Sequence, residues 1–373
     1  MKLLPLLLLS ALTLGSGSIT RSMGADFYLG TYTHWYGSKG IYRYQFDEKT
    51  GAISGGDLVA QVINPSYLAL HPRGHFLYAA SEGPSGQIVA YRIEPSGELT
   101  WLNQQDSRGA DPCHISLDPE GRNLLVANYT SGTIAVFPIK KNGELGASTG
   151  FYQHLGTGPN KDRQEGPHAH SIYTDRSGRL VYACDLGTDR IYGYHLEPAT
   201  GHIHPDLTAS ATVDPGSGPR HIAFDSSERF AYVINEMGNT ITVFQRNPSS
   251  GALHSIQSIS TLPAGFKKKN TTAEVVVHPS GRFLYASNRG HNSIAIFAIG
   301  HDGRLTAIGD VSSGGKTPRF FTLDPTGHWL LCGNQDSNDI FVFRINQHTG
   351  ALTPTGQKVK AGAPVSIVFP HHR

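Results

Sequence analysis

Cysteine, charge and long apolar runs are all scarce in this 373-residue chain. Its three cysteines, Cys113, Cys184 and Cys332, are odd in number and show no paired spacing, which argues against a disulfide framework. Cys184 and Cys332 fall in apolar stretches, as small buried thiols do. Charged residues make up only 16 % and nearly balance, 31 Lys and Arg against 29 Asp and Glu, so no nucleic-acid footprint is present. The one basic cluster, Lys267-Lys268-Lys269, reads as a solvated loop or as a rim that collects anions. The apolar run from Leu3 to Leu14 is too short to span a bilayer. With Met1-Lys2 before it and Gly15-Ser16-Gly17-Ser18 after it, it has the layout of a secretory signal peptide. We therefore expect residues 1–25 to be a signal segment, cut between Gly15 and Ala25. Residues 26–373 would form the exported protein, periplasmic or extracellular, free of the membrane and monomeric. Asn128-Tyr129-Thr130 and Asn270-Thr271-Thr272 match the glycosylation triplet, a weak signal on its own.

What the chain has in abundance is glycine, proline and repetition. Forty-three Gly and 22 Pro indicate many tight turns rather than long helices. Seven times an apolar strand such as Phe76-Leu77-Tyr78-Ala79 or Phe283-Leu284-Tyr285-Ala286 is followed by a second, such as Ile88-Val89-Ala90-Tyr91 or Ile294-Ala295-Ile296-Phe297, and then by a glycine turn: Gly51, Gly97, Gly143, Gly201, Gly251, Gly303 and Gly350. Six copies open with a strand that ends in a polar turn of the type Asp118-Pro119-Glu120-Gly121. The turn positions Gly74, Gly121, Gly178, Glu228, Gly281 and Gly327 lie 47, 57, 50, 53 and 46 residues apart. A period near fifty, in units of four short β-branched and aromatic strands, is the signature of a propeller. The fold class expected is all-β: a single domain of seven four-stranded antiparallel blades. The seventh opening strand is missing before Phe27 and present at the C-terminus as Pro364-Val365-Ser366-Ile367-Val368-Phe369. Pairing it with the N-terminal strands closes the ring and leaves no open sheet edge.

In an up-and-down blade the start of the inner strand and the end of the second strand emerge on the same face. Stacking the copies gives the residues at that mouth. The inner-strand columns read Ser66, Cys113, His170, Arg220, Ala273, Arg319, Val365 and then Tyr67, His114, Ser171, His221, Glu274, Phe320, Ser366. The second-strand columns end in Thr31, Ser81, Asn128, Asp185, Asn235, Asn288, Asn334 and then Tyr32, Glu82, Tyr129, Leu186, Glu236, Arg289, Gln335. Repetition accounts for the uniform columns but not for ionisable groups that differ copy by copy where the blades come closest. Converging charges in a concave opening mark a site; the competing reading is a solvated channel with internal salt bridges. The Asn column is read as backbone-capping side chains.

The segments Gly166-Pro167-His168-Ala169-His170, Gly218-Pro219-Arg220-His221, Asn235-Glu236, Ala273-Glu274 and Phe283-Leu284-Tyr285-Ala286-Ser287-Asn288-Arg289-Gly290 resemble the lactonase seven-bladed propeller family. That family includes propeller-type 6-phosphogluconolactonase and the fungal carboxymuconate-lactonizing enzyme. The resemblance runs from about Phe27 to Phe369 and is specific for the family, less so for the substrate. It implies a catalytic set of His170 (or its neighbour His168), Arg220, Glu236 and Arg289. His168, His114, His221, Glu274, Arg319 and Asp185 are expected to line the substrate pocket. No cofactor and no metal is expected; the partner would be a small anionic lactone or sugar acid. An export segment departs from a family member acting inside the cell and puts the phosphorylated substrate in question.

On this reading Glu236 is the base for water, Arg220 and Arg289 hold the oxyanion and the substrate's acidic tail, and His170 supplies or relays the proton to the ring oxygen. Three rivals stand beside it. A metal-dependent lactonase would draw on His168, His170, His114, His221, Glu236 and Glu274, but two arginines among the candidates repel a cation. A muconate-type cycloisomerase would run the same residues in reverse. A non-catalytic binder of sugar acids would use Trp35, Tyr36 and Tyr32 as an exposed face.

Overall fold

The computed structural model describes residues 24–34 and 37–370. The expected signal segment up to residue 23, and Trp35 and Tyr36, lie outside these residues. Regular structure among them is all strand, 29 strands in seven sheets. Six of the seven sheets run in chain order from the axis outward, as in Pro219–Phe224, Phe230–Asn235, Thr240–Arg246 and Leu253–Ser260. One blade carries a short fifth strand, Ala211–Thr212, beside Arg190–Glu197. The C-terminal strand Pro364–Val368 pairs antiparallel with Ala25–Thr31, with Ile367 opposite Leu29. The first and last described strands therefore share one sheet.

The apolar faces of these strands bury themselves against neighbouring blades. At the closure Phe27, Phe46 and Ile367 of the shared blade pack with Trp329, Leu331 and Ile340 of the blade before it. A polar joint accompanies each apolar one. Tyr28, Tyr78, Tyr182, Tyr232 and Tyr285 are buried, and each donates its hydroxyl to the carbonyl of the glycine turn in the next blade: Gly97, Gly143, Gly251, Gly303 and Gly350. The two blades with Leu in this column use the residue two positions earlier. Asn123 Nδ2 donates to Pro198 O and Trp329 Nε1 to Glu48 O. Gly303 (φ 79°) shows why glycine sits at these turns: a Cβ there would lie 2.2 Å from Phe230 Cδ1, and the left-handed conformation disfavours other residues.

Every inner strand begins with a break in register. Pairing skips a residue between Pro65 and Tyr67, Pro112 and His114, Ala169 and Ser171, Pro219 and His221, and Pro318 and Phe320. Ala273 and Glu274 are skipped between Thr272 and Val275, and Val365 between Pro364 and Ser366. Ser66, Cys113, His170, Arg220 and Arg319 are thus the extra residues of five of these seven β-bulges. In an unbroken strand, adjacent side chains point to opposite faces. A bulge re-aims one of them, so that Arg220 and His221 both turn toward the axis.

Candidate active site

The site grows from two of these bulges and the strand ends beside them. Arg220 is the bulged residue of one inner strand, and Glu236 follows the end of its partner Phe230–Asn235, fixed by its own N–H donating to Gly218 O at 2.7 Å. Arg220 Nε donates to Glu236 Oε2 at 3.1 Å, and Arg289 Nη2, from the end of the next blade's second strand, reaches the same oxygen at 2.9 Å. His170 Nε2 lies 3.9 Å from it. Arg163 Nη2 takes the other oxygen, Oε1, at 2.8 Å and also donates to Tyr129 OH at 3.1 Å. Glu236 is 5 % exposed and Arg220 2 %.

Burial alone would raise the Glu236 carboxyl, but Arg289, Arg220 and Arg163 outweigh it and hold the group well below the usual carboxylate range. The same neighbours act on the histidine. Burial first, and Arg220 after it, push His170 well below the ordinary imidazole value. Across the opening Arg319 lies over the Tyr32 ring at 5.2 Å, and Tyr32 OH donates to Glu82. Arg163, Arg220, Arg289 and Arg319 against Glu236 and Glu82 leave two positive charges in surplus. A concave, positively charged opening of this kind favours anions.

A family model described as "Lactonase, 7-bladed beta-propeller" matches residues 26–369. The chain belongs to this lactonase family. It is 38 % identical to a Bacillus subtilis 6-phosphogluconolactonase over 92 % of this chain and 98 % of that protein. Among solved structures it is similar to a putative 6-phosphogluconolactonase from Bacteroides fragilis (TM-score 0.86, 35 % identity, 94 % of this chain and 99 % of the other). It is also similar to the Pseudomonas aeruginosa periplasmic gluconolactonase (TM-score 0.88, 31 % identity, 93 % and 99 %).

In this lactonase-family ring, His170, Arg220, Glu236 and Arg289 converge. His221, Glu274 and His114 lie one layer deeper along the axis. Arg220 Nη1 donates to His221 Nε2 at 3.4 Å, so that nitrogen accepts and Nδ1 carries the hydrogen it gives to Glu274 Oε1 at 3.0 Å. The His114 ring packs between Tyr67 (4.2 Å) and Tyr173 (4.5 Å). Burial pushes Glu274 up to about 8, against the pull of Arg220 and the Val275 N–H. Ser66 Oγ, His114 Nε2, Ser171 Oγ and Glu274 Oε2 are buried axial atoms with no protein partner.

Other expectations need correction. Asp185 is fully buried and holds no place in the opening. Its carboxylate binds His154 Nδ1 at 2.6 Å and the N–H groups of His168 and Thr188. It is the capping member of its column, as Asn128, Asn288 and Asn334 are through their bonds to Ser107 O, Thr261 O and Ser313 O; Asn235, expected to cap backbone as well, donates to the hydroxyls of Thr240 and Thr242 instead. His168 stacks on Tyr129 at 4.6 Å, with its ring nitrogens on Tyr129 O and Glu165. It therefore supports the ring that holds Arg163 and stands outside the Glu236 cluster. Tyr32 is half-buried rather than exposed. Asn128 and Asn270 are buried and hydrogen-bonded, which removes both glycosylation triplets. Lys267, Lys268 and Lys269 are exposed.

Arg163 was not identified from sequence. It sits in the connection 154–168, which is longer than the corresponding connection in any other copy, so aligning the repeats gives it no column. The 57-residue spacing between Gly121 and Gly178 is the signal that marks the extra segment.

Proposed function

We propose that this protein hydrolyses a sugar-acid lactone at the axial opening, with the chemistry centred on Glu236. The observation that carries the reading is one ionised carboxylate enclosed by three guanidinium groups and an imidazole, with positive charge to spare. Opening a lactone needs an activated water, charge stabilisation on the carbonyl oxygen and a proton for the departing ring oxygen. Glu236 orients and deprotonates the water. Arg220 and Arg289 stabilise the oxyanion that forms as the water oxygen bonds to the carbonyl carbon. Burial keeps His170 neutral, so it relays a proton rather than supplying one. The proton taken by Glu236 passes through His170 to the ring oxygen as the ring C–O bond breaks. The products are a hydroxyl group and a carboxyl group that ionises to solvent.

Two features bear on the substrate. The relatives named 6-phosphogluconolactonase favour a phosphorylated lactone, and the surplus positive charge would accept it. The export layout of residues 1–25 and the likeness to a protein described as a periplasmic gluconolactonase favour an unphosphorylated aldonolactone outside the cytoplasm. We take the second as the reading for the mature protein, residues 26–373, acting as a monomer. Cell fractionation checks the location.

The deciding experiment is a pH-stat screen of purified protein against phosphorylated and unphosphorylated sugar lactones and muconolactones, with Glu236→Gln as the blank. Acid release by the wild type alone supports hydrolysis; saturable binding without acid release would support the binder. Three guanidinium groups around Glu236 disfavour a cation there, so full turnover is expected after dialysis against a chelator. Loss restored by a divalent ion would overturn that part.

A further inference from the structure

In the state described, Glu236 is poorly placed to act as a base, because both of its oxygens are occupied. The two are occupied differently. Oε2 is held from beneath by Arg220 and Arg289, both largely buried, whereas Oε1 has Arg163 as its guanidinium partner. The Arg163 side chain is 39 % exposed, compared with 3 % for Arg220 and 13 % for Arg289. The backbone beneath it is pinned. Gln164, fully buried, donates to Leu186 O at 2.8 Å and accepts from Asn160 N at 3.1 Å. At the start of the segment His154 is fixed to Asp185 at 2.6 Å. The guanidinium can therefore swing on its own stem without moving the loop. The neighbouring space between Arg220, Arg319, Cys113 and Tyr67, which Arg163 does not line, is about 10 Å³, room for one water at most.

We propose that Arg163 is an exchangeable clamp that determines which ligands enter: at rest it caps Glu236 Oε1, and an oxyanion on the incoming ligand takes it over. The exchange does two things at once. It gives the ligand's carboxylate or phosphate a planar donor that matches it, and it leaves Glu236 Oε1 free while Oε2 stays anchored. Removing one of three cations also weakens the field that depresses the Glu236 carboxyl, so its basicity rises when an anionic ligand is bound. A neutral molecule has no group to offer Arg163 and leaves the carboxylate capped. This part of the account rests on the lactonase reading for its catalytic consequence, but the exchange itself is a binding event.

The test separates the two. Inorganic phosphate and gluconate are titrated calorimetrically into the wild type, Arg163→Gln and Arg163→Lys. The wild type is expected to bind at least one of them, with affinity at least tenfold weaker in Arg163→Gln and intermediate in Arg163→Lys, which keeps the charge without the planar fork. Dependence confined to phosphate assigns the clamp to a phosphate end; dependence confined to gluconate assigns it to a carboxylate. Equal affinities in wild type and Arg163→Gln for both anions, or no binding of either by the wild type, would overturn the proposal. In turnover, the acid limb of the rate profile should move to higher pH in Arg163→Gln, because a positive charge has left the base. Arg163-dependent anion binding in a protein that opens no lactone would sink the hydrolase reading and leave the clamp standing.

Discussion

Positions that repeat around this ring and positions that differ do opposite work. In the repeated columns a polar group reaches sideways into the next blade: the Tyr232 hydroxyl to Gly303 O, or the Asn123 amide to Pro198 O. Each such contact joins an uncharged donor to a backbone carbonyl of the neighbouring blade. In the columns that differ, charged groups turn to the axis, and their environments pull them apart. Glu236 and Glu274 both lie close to Arg220. Glu236, facing Arg289, Arg220 and Arg163, stays ionised despite its burial. Glu274, one layer deeper with His221 and the Val275 N–H, is pushed up to about 8 by its burial. The contrast sets uncharged donor–carbonyl joints in the scaffold against an axis that holds charge which burial and neighbours have moved from its ordinary state, as reactive sites do.

If that division is right, substitutions at the axis should be read in turnover and substitutions at the joints in stability. The largest effect is expected for Glu236→Gln, which keeps the shape and removes the base. Turnover should fall roughly 100- to 10,000-fold with an unchanged far-ultraviolet dichroism spectrum. Retained turnover would place the base elsewhere. Arg289→Ala removes one donor to the oxyanion, and kcat/KM should drop about 100- to 1,000-fold. A variant that lost only ground-state binding would raise KM and leave kcat alone, which would move Arg289 from the transition state to substrate capture.

The same division explains what could be read from the sequence. The ring, its closure and the four converging residues His170, Arg220, Glu236 and Arg289 were legible because they occupy repeat columns, where one blade's register informs the other six. The bulge was not legible. Alternation would send Arg220 and His221 to opposite faces, and only the skipped pairing between Pro219 and His221 brings both inward. Asp185 was misplaced for a related reason: it shares a column with capping asparagines, and its carboxylate reads as a charge at the mouth although it is spent on His154 and two backbone N–H groups. Arg163 was illegible because it belongs to no column at all.

The deeper carboxyl offers a test in stability rather than rate. A group whose folded-state pKa is raised binds its proton more tightly in the folded than in the unfolded chain. Its contribution is fully present below the unfolded value and is lost as pH rises through the folded one. For Glu274 that window runs from about 4.5 to about 8. Across it the wild type should lose stability relative to Glu274→Gln, which cannot ionise. Urea midpoints of the two proteins at intervals from pH 5 to pH 8.5 check this. A parallel pair of curves would mean that Glu274 is ionised throughout and that the two layers of the axis do not differ as described.

The smallest effect is expected at a joint. Tyr232→Phe removes a hydroxyl that donates to Gly303 O at 3.1 Å and leaves the ring's apolar contacts with Ile234 and Phe297 in place. The cost should be about 1 kcal/mol, seen as a lowered urea midpoint at constant slope. Turnover should be unchanged, since Tyr232 belongs to the uniform column that faces the neighbouring blade. The blade with Leu125 in the equivalent position makes its joint through Asn123 instead, and Asn123→Ala should cost somewhat more, because the same amide also donates to Asp118 Oδ2 at 3.0 Å. If either change altered turnover as well as the midpoint, the joints would be setting the geometry of the axis, and the separation of scaffold from site would be one of degree.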